Sequence, residues 1–261
     1  MAVEPVGFPQ IACTPHEARA RIKENWSRVC DEVSLAAAQS GRSFGEVRVV
    51  GVSKYVDAEI TNLLVEAGCH DLGENRPQAL MQKAKWFEST QAEQASKIRW
   101  HQIGHLQRNK VRRLIGLQPL IHSVDSERVL EEIHREALAQ SLLVEVLIEV
   151  NVSGEEAKTG LPAEQTSGLF ERHATRVASA GTQDAGARVT GLMAMAGWGT
   201  DPQAAQPQFS RLRELRDQMR GQTGWELPEL SMGMSGDYQA AIAEGATMVR
   251  IGSSLFRGVL K

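Results

Sequence analysis

The chain predicts a closed α/β fold, a single (β/α)8 TIM barrel with an additional N-terminal helix, and three observations carry that reading. Eight short apolar, β-branched runs recur along its 261 residues. Helical patterns separate successive runs, the alternation of a parallel sheet. No GxGxxG follows the first run, as an open doubly wound sheet built to bind a dinucleotide would show.

Each element has its own signal. In TPHEARARIKENWSRVCDEVSLAAAQSG, Thr14 stands three residues before Glu17 and Pro15 takes the first helical position, so a helix is expected from there to near Gly41. The eight runs are VRVVGVSK (47–54), DLGEN (71–75), IRWHQIG (98–104), PLIHSVD (119–125), LVEVLIEVNVS (143–153), RVTGLMAMA (188–196), ELSMGMS (229–235) and MVRIGS (248–253). Between them DAEITNLLVEAG, SERVLEEIHREALAQ and DYQAAIAEG start on Asp or Ser, and two of these end on Gly. The last run leaves too few residues for an eighth crossover helix, so the opening helix is expected to cover that gap. AGWGTDPQAAQP (196–207), punctuated by Gly and Pro, reads as the principal surface loop. No repeat, low-complexity tract or long linker divides the chain; residues 1–13 read as a flexible leader and 14–261 as one domain.

Composition narrows the function. A chain that is 42% hydrophobic and 23% charged is ordinary globular material. The formal charge of −3 argues against a general nucleic-acid or anionic-membrane surface and leaves only local basic patches. Cys13, Cys30 and Cys69 are odd in number and lack CxxC spacing, which suggests neither a disulfide framework nor a zinc site and fits a cytoplasmic protein. MAVEPVGFPQIAC has no basic n-region or continuous apolar h-region, and no segment offers about eighteen uninterrupted apolar residues.

The chemistry gathers at the carboxyl ends of the strands, where barrel sites form. Lys54 ends the first run and shares a strand face with Val50 and Val52. An ordinary rim lysine reaches into solvent; one on the interior face points into the mouth. At the other end of the chain SMGMSGDYQAAIAEG and MVRIGSSLFRG each run from strand into a Ser/Gly-rich turn, the second carrying Gly252, Ser253 and Ser254. Paired turns of this kind after strands seven and eight form the phosphate cradle of the barrel, with exposed N–H groups that attract a dianion. A lysine and an anion cradle across one mouth suggest a phosphorylated aldehyde held as a Schiff base, with pyridoxal 5′-phosphate the leading candidate. A lysine Schiff-base aldolase acting on a sugar phosphate fits the same features.

The quoted motifs, with LGEN, WHQIGHLQRNK and VLIEVNVSGEEAKTGL, resemble the YggS/PROSC family of pyridoxal phosphate homeostasis proteins, in order from about residue 47 to 256. The resemblance implies a barrel like the N-terminal domain of alanine racemase, binding pyridoxal phosphate without an established reaction and storing, protecting or delivering it to acceptor apoenzymes. Residue by residue it implies that Lys54 carries the cofactor, that Asn75 lies near it, and that Arg250 stands beside the pyridine nitrogen. Ser231, Gly252 and Ser253 match phosphate contacts, with the Ser235 and Gly236 turn close by. A fixed cation at Arg250 disfavours protonating the ring nitrogen and so weakens the electron sink that carbanion chemistry needs. A racemase-like enzyme is the rival; it needs a second acid/base on the opposite cofactor face, and the chain has only Tyr55 and Tyr238 as tyrosines. The sequence departs from the family at KYVDAEI, LGENRPQ and FRGVLK, which alter the rim.

Other signals have plainer readings. His101 and His105 share a parity but lack an acidic third ligand, so no metal is expected. RNKVRR (108–113) reads as the solvated face of a barrel helix, with contact to RNA or a cofactor-receiving enzyme as the alternative. Lys158, after the fifth run at the functional end, reads as a surface lysine, with a hold on substrate or a second aldehyde as the alternative, and a monomer is the expected state.

Overall fold

The computed structural model describes residues 11–155, 159–181, 184–197 and 199–261; the first ten residues of the expected leader and Lys158 lie outside these. Thr14 caps α1 (Pro15–Gln39): its hydroxyl accepts from the Glu17 N–H, and the Glu17 carboxylate accepts from the Thr14 N–H at 2.8 Å. Ala18, Ile22, Asn25, Val29, Val33 and Ala36 recur at helical spacing and form its buried face. Burying Ile22, Val29 and Val33 contributes roughly 1.5 to 3 kcal/mol each.

Strands and helices then alternate: β1 (Arg48–Val52), α2 (Ala58–Glu66), β2 (Asp71–Glu74), α3 (Pro77–Thr90), α4 (Ala92–Ala95), β3 (Arg99–Gln102), α5 (Arg108–Leu114), β4 (Leu120–Val124) and α6 (Glu127–Ala139). The second half holds β5 (Leu143–Asn151), β6 (Leu161–Pro162), α7 (Ala163–Ala180), β7 (Gly186–Met193), α8 (Pro202–Thr223), β8 (Glu229–Met234), α9 (Tyr238–Ala243) and β9 (Met248–Ile251). The strand order is β4-β3-β2-β1-β9-β8-β7-β5, all parallel, and pairing of β4 with β5 closes the barrel. The eight apolar runs are its eight staves. β6 is no ninth stave: its two residues pair only with Val150 and Asn151 at the end of β5.

α1 packs against both α2 and α9, in the place a helix after β9 would take. It also grips the segment that follows β9: Asn25 Nδ2 donates to the carbonyls of Leu255 and Arg257 at 3.2 and 3.0 Å, and Arg28 donates to that of Ser254 at 3.1 Å. Ile11 bridges with Leu260 in antiparallel fashion, so the first and last described segments meet. The expected loop at 196–207 is shorter than its composition suggests. Asp201 accepts from the Ala204 N–H at 2.8 Å and Pro202 takes the first helical position, so α8 begins there and runs through Pro207.

Two apolar regions are separate. The larger lies between staves and helices; the smaller, of Val50, Leu120, Leu147, Met193 and Met248, fills the barrel interior. Alternation along each strand then directs Arg48, His122 and Arg250 inward with them. At the amino ends of the staves Arg48 pairs with Glu229, while Arg99 and Arg188 each meet Glu145 at 2.7 Å, closing that end with ion pairs. No helix among the described residues is long and apolar enough to cross a membrane.

Candidate functional site

The mouth is built on the carboxyl ends of three adjacent staves, β1, β9 and β8, which together span about 10 Å. Val50 faces the interior and Lys54 stands four residues on, in the turn where the Val56 N–H bonds the Ser53 carbonyl. Its side chain is half-buried, and its Nζ lies 4.8 Å from the centroid of the exposed Tyr55 ring.

The turn is pinned from behind. Lys83 Nζ donates to the Ser53 carbonyl at 2.8 Å and to Glu74 Oε1, and the Ser53 hydroxyl donates to that same carboxylate oxygen at 2.7 Å. Lys83 and Glu74 are both buried, and burial lowers the Lys83 ammonium while the Glu74 charge opposes it. Nothing in the motifs indicates this pair; Lys83 sits on a helix three residues after Leu80, where its apolar neighbours hide it.

The two turns expected to hold an anion touch each other. The Gly252 N–H donates to Ser235 Oγ at 3.3 Å, and a Cβ at Gly252 would lie 3.4 Å from Cβ of Val52, which ties this turn to the end of β1. Asp237 shapes the first turn by accepting from the Met234 N–H at 2.6 Å. Among the described residues, the N–H groups of Ser235, Gly236, Ser253 and Ser254 donate to no protein acceptor. Ser235, Gly236, Gly252 and Ser253 therefore lie together at the carboxyl ends of β8 and β9, next to the end of β1.

Ser231 does not. It lies within β8, fully buried, and its hydroxyl belongs to Arg250 and His122. The resemblance implies a phosphate contact for Ser231; its side chain lies on the interior side of the pleat, below the turn. Arg250 Nη1 donates to Ser231 O and Oγ at 2.8 and 2.6 Å, and Nη2 donates to Ala194 O at 2.9 Å. Burial lowers the guanidinium to about 10, with Glu149 and Asp237 opposing. Arg250 has five N–H donors and spends three on the protein, which leaves Nε–H and one Nη2–H for a ligand.

Asn75 follows β2, half-buried, and its carbonyl accepts from Gln102 Nε2 at 3.2 Å. Gly104 packs so tightly on it that a Cβ there would lie 2.4 Å from the Asn75 carbonyl oxygen. Glu149 receives the Thr159 hydroxyl at 2.5 Å, and burial raises its carboxyl. His101 is enclosed in the interior while His105 is exposed and paired with Asp125 at 2.8 Å, so the two histidines do not share a site. A cavity of about 590 Å³ beside Leu143, His173 and Trp225 opens at the amino ends of β5 and β7 and contains none of the mouth residues.

The family described as alanine racemase, N-terminal domain, matches residues 51–258, and the closed barrel with a lysine after its first stave places the chain in that class. A pyridoxal phosphate homeostasis protein of Aquifex aeolicus is 38% identical over 89% of this chain and 96% of its own. The chain belongs to the family of pyridoxal phosphate homeostasis proteins. Among solved structures, an unknown protein from Bifidobacterium adolescentis superposes with a TM-score of 0.83 at 34% identity, covering 94% of this chain and 98% of its own. PipY of Synechococcus elongatus, solved with pyridoxal phosphate bound, gives 0.76 at 27% identity over 90% of this chain and 99% of its own.

Proposed function

We propose that this chain binds pyridoxal 5′-phosphate at the mouth and serves its homeostasis, storing, protecting and delivering the cofactor to acceptor apoenzymes as a cytoplasmic monomer, without catalysing a reaction. The observation that carries the reading is the convergence of Lys54, the spare donors of Arg250 and two turns with unused N–H groups on three neighbouring staves. These residues fit the group: a primary amine for an aldehyde, a fixed cation for a ring nitrogen, and main-chain donors for a dianion. When bound, the cofactor supplies a carbonyl carbon that condenses reversibly with an amine. Lys54 would hold that carbon, Ser235, Gly236, Gly252 and Ser253 the phosphate, and Asn75 the flank. Relatives at 32 to 38% identity carry the homeostasis name, which favours the same role here. Free cysteines suit the reducing cytoplasm.

Two features favour holding over turnover. Arg250 offers the ring nitrogen a donor that does not give up its proton, so the electron sink stays weak. Tyr55 is exposed on the rim and Tyr238 gives its hydroxyl to Glu32 on α1, which leaves neither in place as a second acid. Purified protein mixed with pyridoxal phosphate is expected to develop a visible band that borohydride fixes onto Lys54; a band that persists in Lys54→Ala sinks the reading. Exchange of amino-acid α-protons in deuterated water, lost in Lys54→Ala, would instead establish a racemase-like enzyme. A colourless protein that cleaves aldols would establish a Schiff-base aldolase.

A further inference from the structure

A line of hydrogen bonds crosses the barrel interior from the closed end to Arg250. Asp71 Oδ1 lies 2.9 Å from His101 Nε2, His101 Nδ1 lies 2.9 Å from His122 Nε2, and His122 Nδ1 lies 2.8 Å from Ser231 Oγ, which accepts from Arg250. The members come from β2, β3, β4, β8 and β9, so the line spans opposite walls. His101, His122 and Ser231 are wholly buried.

Its two ends fix its direction. An arginine can only donate and an ionised aspartate can only accept. With neutral rings between them, His101 donates from Nε2 to Asp71 and accepts at Nδ1; His122 donates from Nε2 and accepts at Nδ1; the Ser231 hydroxyl donates to His122. Burial disfavours the imidazolium in both rings, in His122 most strongly, while the Asp71 hydrogen bond and charge oppose it at His101 without overcoming it. Arg48 on β1 and Arg99 on β3 act on both in the same sense, and Arg250 on β9 acts so on His122. At Asp71 burial opposes ionisation, yet the His101 hydrogen bond and the Arg48 and Arg99 charges hold the carboxyl below its ordinary value.

We propose that Asp71, His101, His122 and Ser231 form a positioning relay that commits the Ser231 proton to the protein, so that Arg250 alone presents donors to the ring nitrogen of the ligand. If the line ran the other way, His122 would donate to Ser231 and the serine hydroxyl would be free to donate upward. A carboxylate at the closed end thus decides which proton the mouth offers. The proposal rests on the cofactor reading above, because it assigns the ring nitrogen to Arg250.

Histidine-labelled protein without cofactor, followed by side-chain nitrogen NMR, tests the relay first. Both rings are expected to be protonated at Nε2 and to remain neutral below the pH at which an ordinary histidine takes up its proton. In Asp71→Asn, whose amide can donate, the Nδ1-protonated forms should appear; in Asp71→Glu the original forms should return. In cofactor-loaded protein, Asp71→Asn should move the pH midpoint of the visible band by about half a unit or more. Ser231→Ala, which cuts the line, should move the midpoint by itself and abolish any further shift from Asp71→Asn, whereas His105→Ala should change nothing. Nδ1 protonation in the unaltered protein, or tautomers and midpoint unmoved by Asp71→Asn and Ser231→Ala, would overturn the relay. Failure to form any Lys54 adduct would overturn the cofactor reading instead, and the tautomers of the free protein distinguish the two failures.

Discussion

Lys83 Nζ donates at 2.8 Å to the carbonyl oxygen of Ser53, the residue immediately before Lys54. The buried Glu74–Lys83 pair therefore acts as a peg for the turn that aims the amine. Replacing Lys83 by Met strands the Glu74 charge and is expected to cost about 3 to 5 kcal/mol in urea unfolding. The double variant Lys83→Met/Glu74→Leu, which removes both charges, should recover at least about half of that loss. Cofactor retention should fall in both, because each frees the Ser53 carbonyl.

Gly104 admits no larger residue without displacing Asn75. Gly104→Ala is expected to lower stability by about 1 to 3 kcal/mol and to weaken pyridoxal phosphate binding about tenfold, read by thermal unfolding and by spectroscopic titration. Binding unchanged in a destabilised variant would remove Asn75 from the site.

Arg28 on α1 holds the Ser254 carbonyl beneath the second turn. Arg28→Ala should cost about 1 kcal/mol of stability and weaken binding of inorganic phosphate by about fivefold in calorimetry. Arg19→Ala, on the same helix but paired with Glu66, should leave phosphate binding alone.

Acid should destabilise the protein well before its carboxylates titrate. His101, His122, His134 and His173 all lie below the ordinary histidine value because burial disfavours their cations, His173 at about 4. The unfolded chain takes up these protons near pH 6.5, while the folded chain refuses them, so stability falls as pH drops below that value. Each histidine adds a slope of up to about 1.4 kcal/mol per pH unit, and a total loss of at least about 2 kcal/mol is expected between about pH 6.5 and pH 5. Denaturant midpoints across that range measure it. The depressed Asp71 carboxyl acts only lower, its contribution fading as pH falls through its folded value.

The staves were readable because alternation and β-branching are local: VRVVGV and LVEVLIEV announce themselves within one segment. Lys54 was readable because a charge ending an apolar run is conspicuous. The peg and the relay were not. His101 and His122 are 21 residues apart and Ser231 another 109, so only strand register and barrel closure bring them together. The interior placement of Ser231 was not readable either, because position in a motif does not reveal which side of the pleat a residue takes. The Pro-rich start of α8 looked like a loop because Pro207, in its second turn, normally argues against a helix.

The opening helix has no complete bed until the far end of the chain exists. Its grip on residues 254–258 and the bridge from Ile11 to Leu260 can form only after residues 254–260 have been made. A ribosome-bound intermediate would thus leave the part of that helix's apolar stripe that meets α9 uncovered until α9 emerges, a natural handle for a chaperone. For the same reason a short peptide joining Ile11 to Leu260, with new termini opened at an exposed turn, should yield a permuted protein that folds.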